Sequence, residues 1–121
     1  MNTRDTRETD QKPCILIFAP ESFAYQAMLD QVKLGVEEEG VPCRVELLAP
    51  GTATSADDYG NVAASASRLD VGVGFDNHGR AALNVGLMKK PLFYLEAGSA
   101  PADLRDLGCN AARLVKGMPL K

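Results

Sequence analysis

Pro13-Cys14-Ile15-Leu16-Ile17-Phe18, the breaker Ala19-Pro20-Glu21-Ser22, an amphipathic run to Glu39, and Gly40-Val41-Pro42-Cys43-Arg44-Val45-Glu46-Leu47-Leu48 together decide the fold. The apolar run at 14–18 is short and continuous, as in a strand buried on both faces. Phe23, Ala27, Met28, Val32 and Val36 recur at helical spacing, which predicts a helix from near Ser22 to Glu39 with that stripe turned inward. Gly40 suits a left-handed C-cap, and Pro42 prevents continuation. Arg44–Leu48 then reads as a second strand. Strand, helix, strand is the unit that builds parallel sheets.

The same alternation continues outward. Ser55 or Asp57 caps a weaker helix ending near Arg68, rich in alanine and interrupted by Gly60. Val71–Phe75 is a third strand, whose Gly72 and Gly74 allow another backbone to approach closely. Asp76-Asn77-His78-Gly79 is a turn, Arg80–Leu87 reads as a helix, and Pro91–Leu95 as a fourth strand. Asn110 is an N-cap type for a last helix through Lys116, closed by Gly117. The fold class expected is α/β: a three-layer α/β/α sandwich with a mostly parallel sheet of four to five strands.

A chain of 121 residues is sized for one domain, and residues 13–121 are assigned to it. Residues 1–12 hold no aliphatic or aromatic side chain after Met1 and are expected to be a disordered polar segment. No apolar run approaches the length of a membrane span, and the N-terminus lacks the apolar segment of a secretory signal. Cys14, Cys43 and Cys109 are odd in number and widely spaced. That fits neither a disulfide framework nor a zinc pattern, so reduced thiols in a cytoplasmic protein are expected.

The net charge of −3 argues against a nucleic-acid binder, which normally carries a basic face. The charge is unevenly spread. Residues 13–69 set Lys33, Arg44 and Arg68 against eight carboxylates, whereas residues 70–121 carry more cations than anions. The densest point is Glu37-Glu38-Glu39, at the helix end that already carries partial negative charge. Successive helical positions point about 100° apart, so the three carboxylates cannot serve one site. One of them facing a cation would need further ligands from elsewhere.

Other candidates are weaker. His78 sits at a strand's C-terminal end, where open α/β sheets bind ligands, but no nucleophile neighbours it in sequence. Gly72-Val73-Gly74 lacks the third glycine of a dinucleotide fingerprint and no P-loop lysine follows. Asp57-Asp58 reads as a charge pair at a helix N-terminus. No constellation of acid, base and nucleophile emerges, and no catalytic residue or bound cofactor is assigned to this chain.

Two segments are more specific. Lys33–Arg44, with Gly35-Val36-Glu37-Glu38-Glu39-Gly40-Val41-Pro42-Cys43-Arg44, resembles the GIEEEGIP(F)R segment of the small subunit of diol and glycerol dehydratase reactivases. Asn110-Ala111-Ala112-Arg113-Leu114-Val115-Lys116-Gly117-Met118-Pro119 resembles that subunit's NAARLVKG.P segment. Leu69–Asp76 between them is similar to the family's LVGIACD strand. Cys43 stands where the family has an aromatic, and Phe75–Leu95 departs from its usual text.

The resemblance implies a fold akin to the medium subunit of cobalamin-dependent dehydratases. It implies a non-catalytic small subunit of a reactivating factor, whose large subunit is an Hsp70-like ATPase carrying ATP or ADP. There the small subunit exchanges with the dehydratase medium subunit, so that damaged cobalamin leaves; cobalamin is met only through the dehydratase. Glu38 matches the family glutamate that helps hold a divalent cation, Mg²⁺ or Ca²⁺, at the large-subunit interface. Glu37, Glu39, Arg113 and Lys116 are the other expected partner-binding residues. The resemblance also suggests association with a bacterial microcompartment. It leaves open a homo-oligomer of the isolated chain. Two rival readings are a separate or truncated dehydratase medium subunit, and a free-standing small-molecule binder using the strand ends near Gly74, Asp76 and His78.

Overall fold

In the computed structural model, which describes residues 12–86 and 88–121, the apolar run at the start of the chain forms β1 (Ile15–Pro20), buried along its whole length. The segment expected to be disordered lies, apart from Lys12, outside the described residues. The other elements are α1 (Gln26–Glu38), β2 (Cys43–Leu48), α2 (Ala56–Ala66), β3 (Val71–Phe75), β4 (Ala81–Val85), β5 (Phe93–Leu95) and α3 (Pro101–Lys116). The sheet order is β2-β1-β3-β4-β5. β1 pairs in parallel with both β2 and β3, and β4 and β5 add on antiparallel. The α/β class is as expected, with parallel pairing in the central strands.

Alternation along the strands splits the core between two faces. Ile15, Ile17 and Ala19 join Val71, Val73, Phe75 and Leu83 against Leu29, Val32 and Val36 of α1 and Leu104, Leu107 and Ala111 of α3. On the opposite face, Leu16 and Phe18 meet Tyr59 and Ala63 of α2. There Gly72 and Gly74 let α2 lie directly on β3. A Cβ on either would collide with the backbone of Ala63–Ala64 or of Ala56 and Gly60.

Three expectations are corrected. The segment expected as a helix over Arg80–Leu87 is instead β4, Leu87 itself lying outside the described residues. Its alanines favour a helix locally, but Asp76 ties the preceding turn. The Asp76 carboxylate accepts from the backbone N–H of His78 (2.9 Å) and of Arg80 (3.0 Å) and from Arg80 Nε (2.6 Å). Gly79, at φ 81°, reverses the chain, and small residues at 81 and 82 fit between the two helical layers. The last helix starts at Pro101, a favoured first position, rather than at Asn110. Asn110 is buried within it, and its Oδ1 accepts from the Lys121 backbone N–H at 2.7 Å. Finally, α1 begins at Gln26 and buries Leu29, Val32, Gly35 and Val36; Ala27 is exposed. Phe23 packs from the preceding loop onto Phe75, with ring centroids 5.0 Å apart.

α1 and α3 touch backbone to backbone. A Cβ on Gly35 would strike the Arg105 carbonyl and the Cys109 amide, and one on Gly108 would strike the Val32 carbonyl. Neither neighbour is a flexible side-chain tip that could move aside. Gly108→Ala is therefore expected to destabilise the fold by about 1–3 kcal/mol, although alanine is the better helix former by about 1 kcal/mol. Urea denaturation followed by circular dichroism measures it; an unchanged or raised midpoint would contradict the close crossing.

Candidate partner interface

Gly35 lies on Arg105 and Cys109, and Glu39 on Arg113 and Lys116. α1 and α3 thus run in the same direction, and their C-terminal ends meet. Two negative dipole ends and three glutamates would repel one another there. α3 answers with cations. Arg105, Cys109, Arg113 and Lys116 recur at four- and three-residue spacing, which aligns them on the face toward α1.

The three glutamates have different fates. Glu39, the C-cap of α1, is the most enclosed, with 14% side-chain exposure. Its carboxylate lies 3.1 Å from Arg113 Nε and 3.2 Å from Lys116 Nζ. Lys116 Nζ also donates to the Glu39 carbonyl at 2.7 Å, satisfying a backbone acceptor at the helix end. The hydrogen bonds from Lys116 and then Arg113 hold the Glu39 carboxyl below its ordinary value. Glu38 is half open, at 47%. Its Oε2 is 3.4 Å from Arg105 Nε, an electrostatic contact without hydrogen-bond geometry. Cys109 Sγ donates to its Oε1 at 3.7 Å. Burial, with some help from Glu38, raises the Cys109 thiol, so it stays protonated as the donor. Glu37 is exposed and faces neighbouring Cys43, whose thiol is pushed up to about 11 by burial first and by Glu37 second.

Sequence reading placed unrelieved strain at this helix end; the structure relieves it from α3. Arg113 and Lys116 converge on Glu39 instead of standing free. Arg105 was missed, because its segment was not read as helical. With α3 begun at Pro101, the spacing from Arg105 to Lys116 would have revealed it. Among the described residues no group of three or more His, Cys, Asp or Glu could hold a metal ion. Glu38 alone offers one carboxylate, so a cation there would draw its other ligands from outside the described residues.

His78 is exposed on the opposite edge of the sheet, away from the glutamates. An open groove of about 420 Å³ lies at that edge, lined by Pro20, Glu21, Ser22, Pro50, Gly51 and Asn77 among others. Asp76 is fully engaged in its turn and does not face a ligand there. Burial pushes its carboxyl upward, but the hydrogen bonds from Arg80 and His78 together outweigh that and leave it lowered.

A family model described as the dehydratase medium subunit matches residues 12–121. The chain belongs to this family. Similar proteins include the probable glycerol dehydratase-reactivating factor small subunit of Citrobacter freundii, 32% identical over 88% of this chain and 92% of its own. The propanediol dehydratase-reactivating factor small subunit of Salmonella typhimurium is 39% identical over 75% of this chain and 77% of its own. Among solved structures, a glycerol dehydratase reactivase chain superposes with a TM-score of 0.84 at 31% identity, covering 91% of this chain and 97% of that one. A chain of a diol dehydratase-reactivating factor, solved with ADP and Mg²⁺, gives 0.77 at 32% identity, covering 92% and 99%. In this family member no helix of the described residues is long and apolar enough to cross a membrane.

The Glu39 contacts have a measurable signature. A carboxyl held below its unfolded value adds stability above the ordinary carboxylate range, and that stability fades as pH falls through the lowered value. Glu39→Gln should thus lower Tm at pH 7, and the gap from the parent should close below about pH 4. A pH-independent gap would mean that the ion pairs do not contribute.

Proposed function

We propose that this chain is the non-catalytic small subunit of a reactivating factor for a cobalamin-dependent diol or glycerol dehydratase. One observation carries the reading. The chain shares its fold with a glycerol dehydratase reactivase over nearly the full length of both, while its family is defined by the dehydratase medium subunit. One shape used in both assemblies is what mutual replacement requires. The small subunit would bind an ATPase large subunit, yield that surface to the dehydratase medium subunit, and so open the dehydratase for damaged cobalamin to leave. The nucleotide belongs to the large subunit. Exchange demands an interface that can dissociate on the working timescale.

The end of α1 is the proposed contact. Glu38 presents its half-open carboxylate as one ligand of a Mg²⁺ or Ca²⁺ ion completed by the large subunit, with Glu37 beside it. Arg105 is then the residue that must turn aside. Glu39, Arg113 and Lys116 serve that surface by fixing the helix end that carries it. The cation would supply no chemistry beyond bridging two acidic surfaces.

A second reading, that the chain is itself a dehydratase medium subunit, is favoured by the family description alone. Retention with the catalytic large subunit and cobalamin through turnover would support it, whereas transfer to an ATPase partner would not.

Titration calorimetry against a reactivase large subunit tests the proposal. The parent chain is expected to bind, and more tightly in magnesium than in a chelator. Glu38→Ala should weaken the magnesium-dependent part about tenfold, or 1.4 kcal/mol, with an unchanged circular dichroism spectrum. Equal affinities in magnesium sink the cation bridge; no binding by the parent chain sinks the subunit assignment.

A further inference from the structure

The acid-rich part of the chain, residues 13–69, has only three cations, and two of them, Arg44 and Arg68, line one small cleft together with Lys12. The cleft lies where β1 begins, β2 begins and α2 ends, on the α2 side of the sheet. Cys14, Leu16, Ala66 and Ser67 complete its wall. Its shape is fixed: Ser67 Oγ donates to the Cys14 carbonyl at 2.6 Å and accepts from the Leu69 N–H at 3.0 Å. That clamps the end of α2 to the start of β1. The envelope is about 200 Å³, and free volume within it is about 10 Å³. One oxygen atom fits that space; a nucleotide does not.

The charges around the cleft are under-compensated. Arg44 Nη2 meets Glu46 Oε2 at 2.7 Å, but its buried Nε has no hydrogen-bond partner. A buried donor without an acceptor is costly, and a ligand oxygen removes that cost. Lys12 and Arg68 have no ion-pair partner among the described residues, and the Cys14 thiol, raised by burial, contributes no charge. A guanidinium pairs best with a planar two-oxygen anion. We propose that this cleft is a carboxylate-binding site that admits one carboxylate oxygen while the other stays at the open mouth, with Arg44 and Arg68 as its anchors and Lys12 at its rim.

The site is distinct from the Glu38 surface. Arg44 and Glu46 lie on the opposite side of β2 from Cys43 and Val45, which pack toward the α1 and α3 layer. Its test uses the chain alone and is independent of any subunit role. Backbone amide shifts of Lys12, Arg44 and Arg68 are followed by NMR at constant ionic strength, with acetate, the tetrapeptide acetyl-Ala-Glu-Glu-Ala-amide, or chloride as the probe. Both carboxylates should produce saturable shifts and chloride none. Peptide binding at least tenfold tighter than acetate assigns the site to an acidic side chain of a partner protein; equal binding assigns it to free carboxylates. Arg44→Gln should weaken the preferred probe about tenfold. Glu46→Gln, which removes the competing carboxylate and keeps Arg44, should tighten it. Equal shifts with chloride, no saturation, or no tightening in Glu46→Gln would overturn the proposal.

Discussion

The meeting of α1 and α3 through Gly35 and Gly108 governs much of the molecule. With no side chain between them, two parallel helices approach until backbone touches backbone. This closeness brings Leu29, Val32 and Val36 and Leu104, Leu107 and Ala111 over one sheet face as a single layer. It also sets like ends of two helix dipoles side by side, which is unfavourable by itself. The cations of α3 offset that cost only because the crossing places them within reach of the α1 end. Packing and electrostatics at this corner are therefore one constraint. A wider crossing would loosen the core and separate Glu39 from Arg113 and Lys116 together.

Sequence reading recovered most of the layout because the decisive signals were local. The apolar run at 14–18, Gly40 and Pro42 after α1, and the Ser55 cap of α2, whose side chain accepts from the Asp58 N–H at 3.1 Å, each mark an element within a few residues. β4 was illegible for the opposite reason. Ala81, Ala82 and Leu83 carry no strand signature, and only pairing with β3 on one side and β5 on the other makes them one. The start of α3 was obscured by a short apolar repeat, with Leu107 separated from Ala111 by Gly108, Cys109 and the N-cap type Asn110. At the candidate interface the acidic cluster was legible, since three adjacent glutamates need no structure to be seen. Its counterions were not, because Arg105 lies in a helix whose start was misplaced and Arg113 reaches Glu39 only through the fold.

The N-terminal edge of the sheet now has two chemically opposed sides. Glu37 and Glu38 stand beyond the α1 and α3 layer, while Lys12, Arg44 and Arg68 gather on the α2 side. The net acidity of residues 13–69 conceals this division. A partner that covered the whole edge would have to carry both signs of charge in the right order. Orientation on such an edge is thereby specified electrostatically, since a reversed approach sets like charges against each other.

The mixed sheet has a consequence for how the chain reaches its native state. β3, β4 and β5 follow one another closely in sequence, so their antiparallel pairing closes only short loops. β1, by contrast, has both of its neighbours far along the chain, beyond α1 in one direction of the sheet and beyond α2 in the other. The entropy lost in closing a loop grows with its length, and non-local pairing slows folding. The strand whose six residues are all buried is thus also the one with the longest search. Its docking joins a locally organised meander to the parallel strands, and both helical layers acquire their common floor in that step.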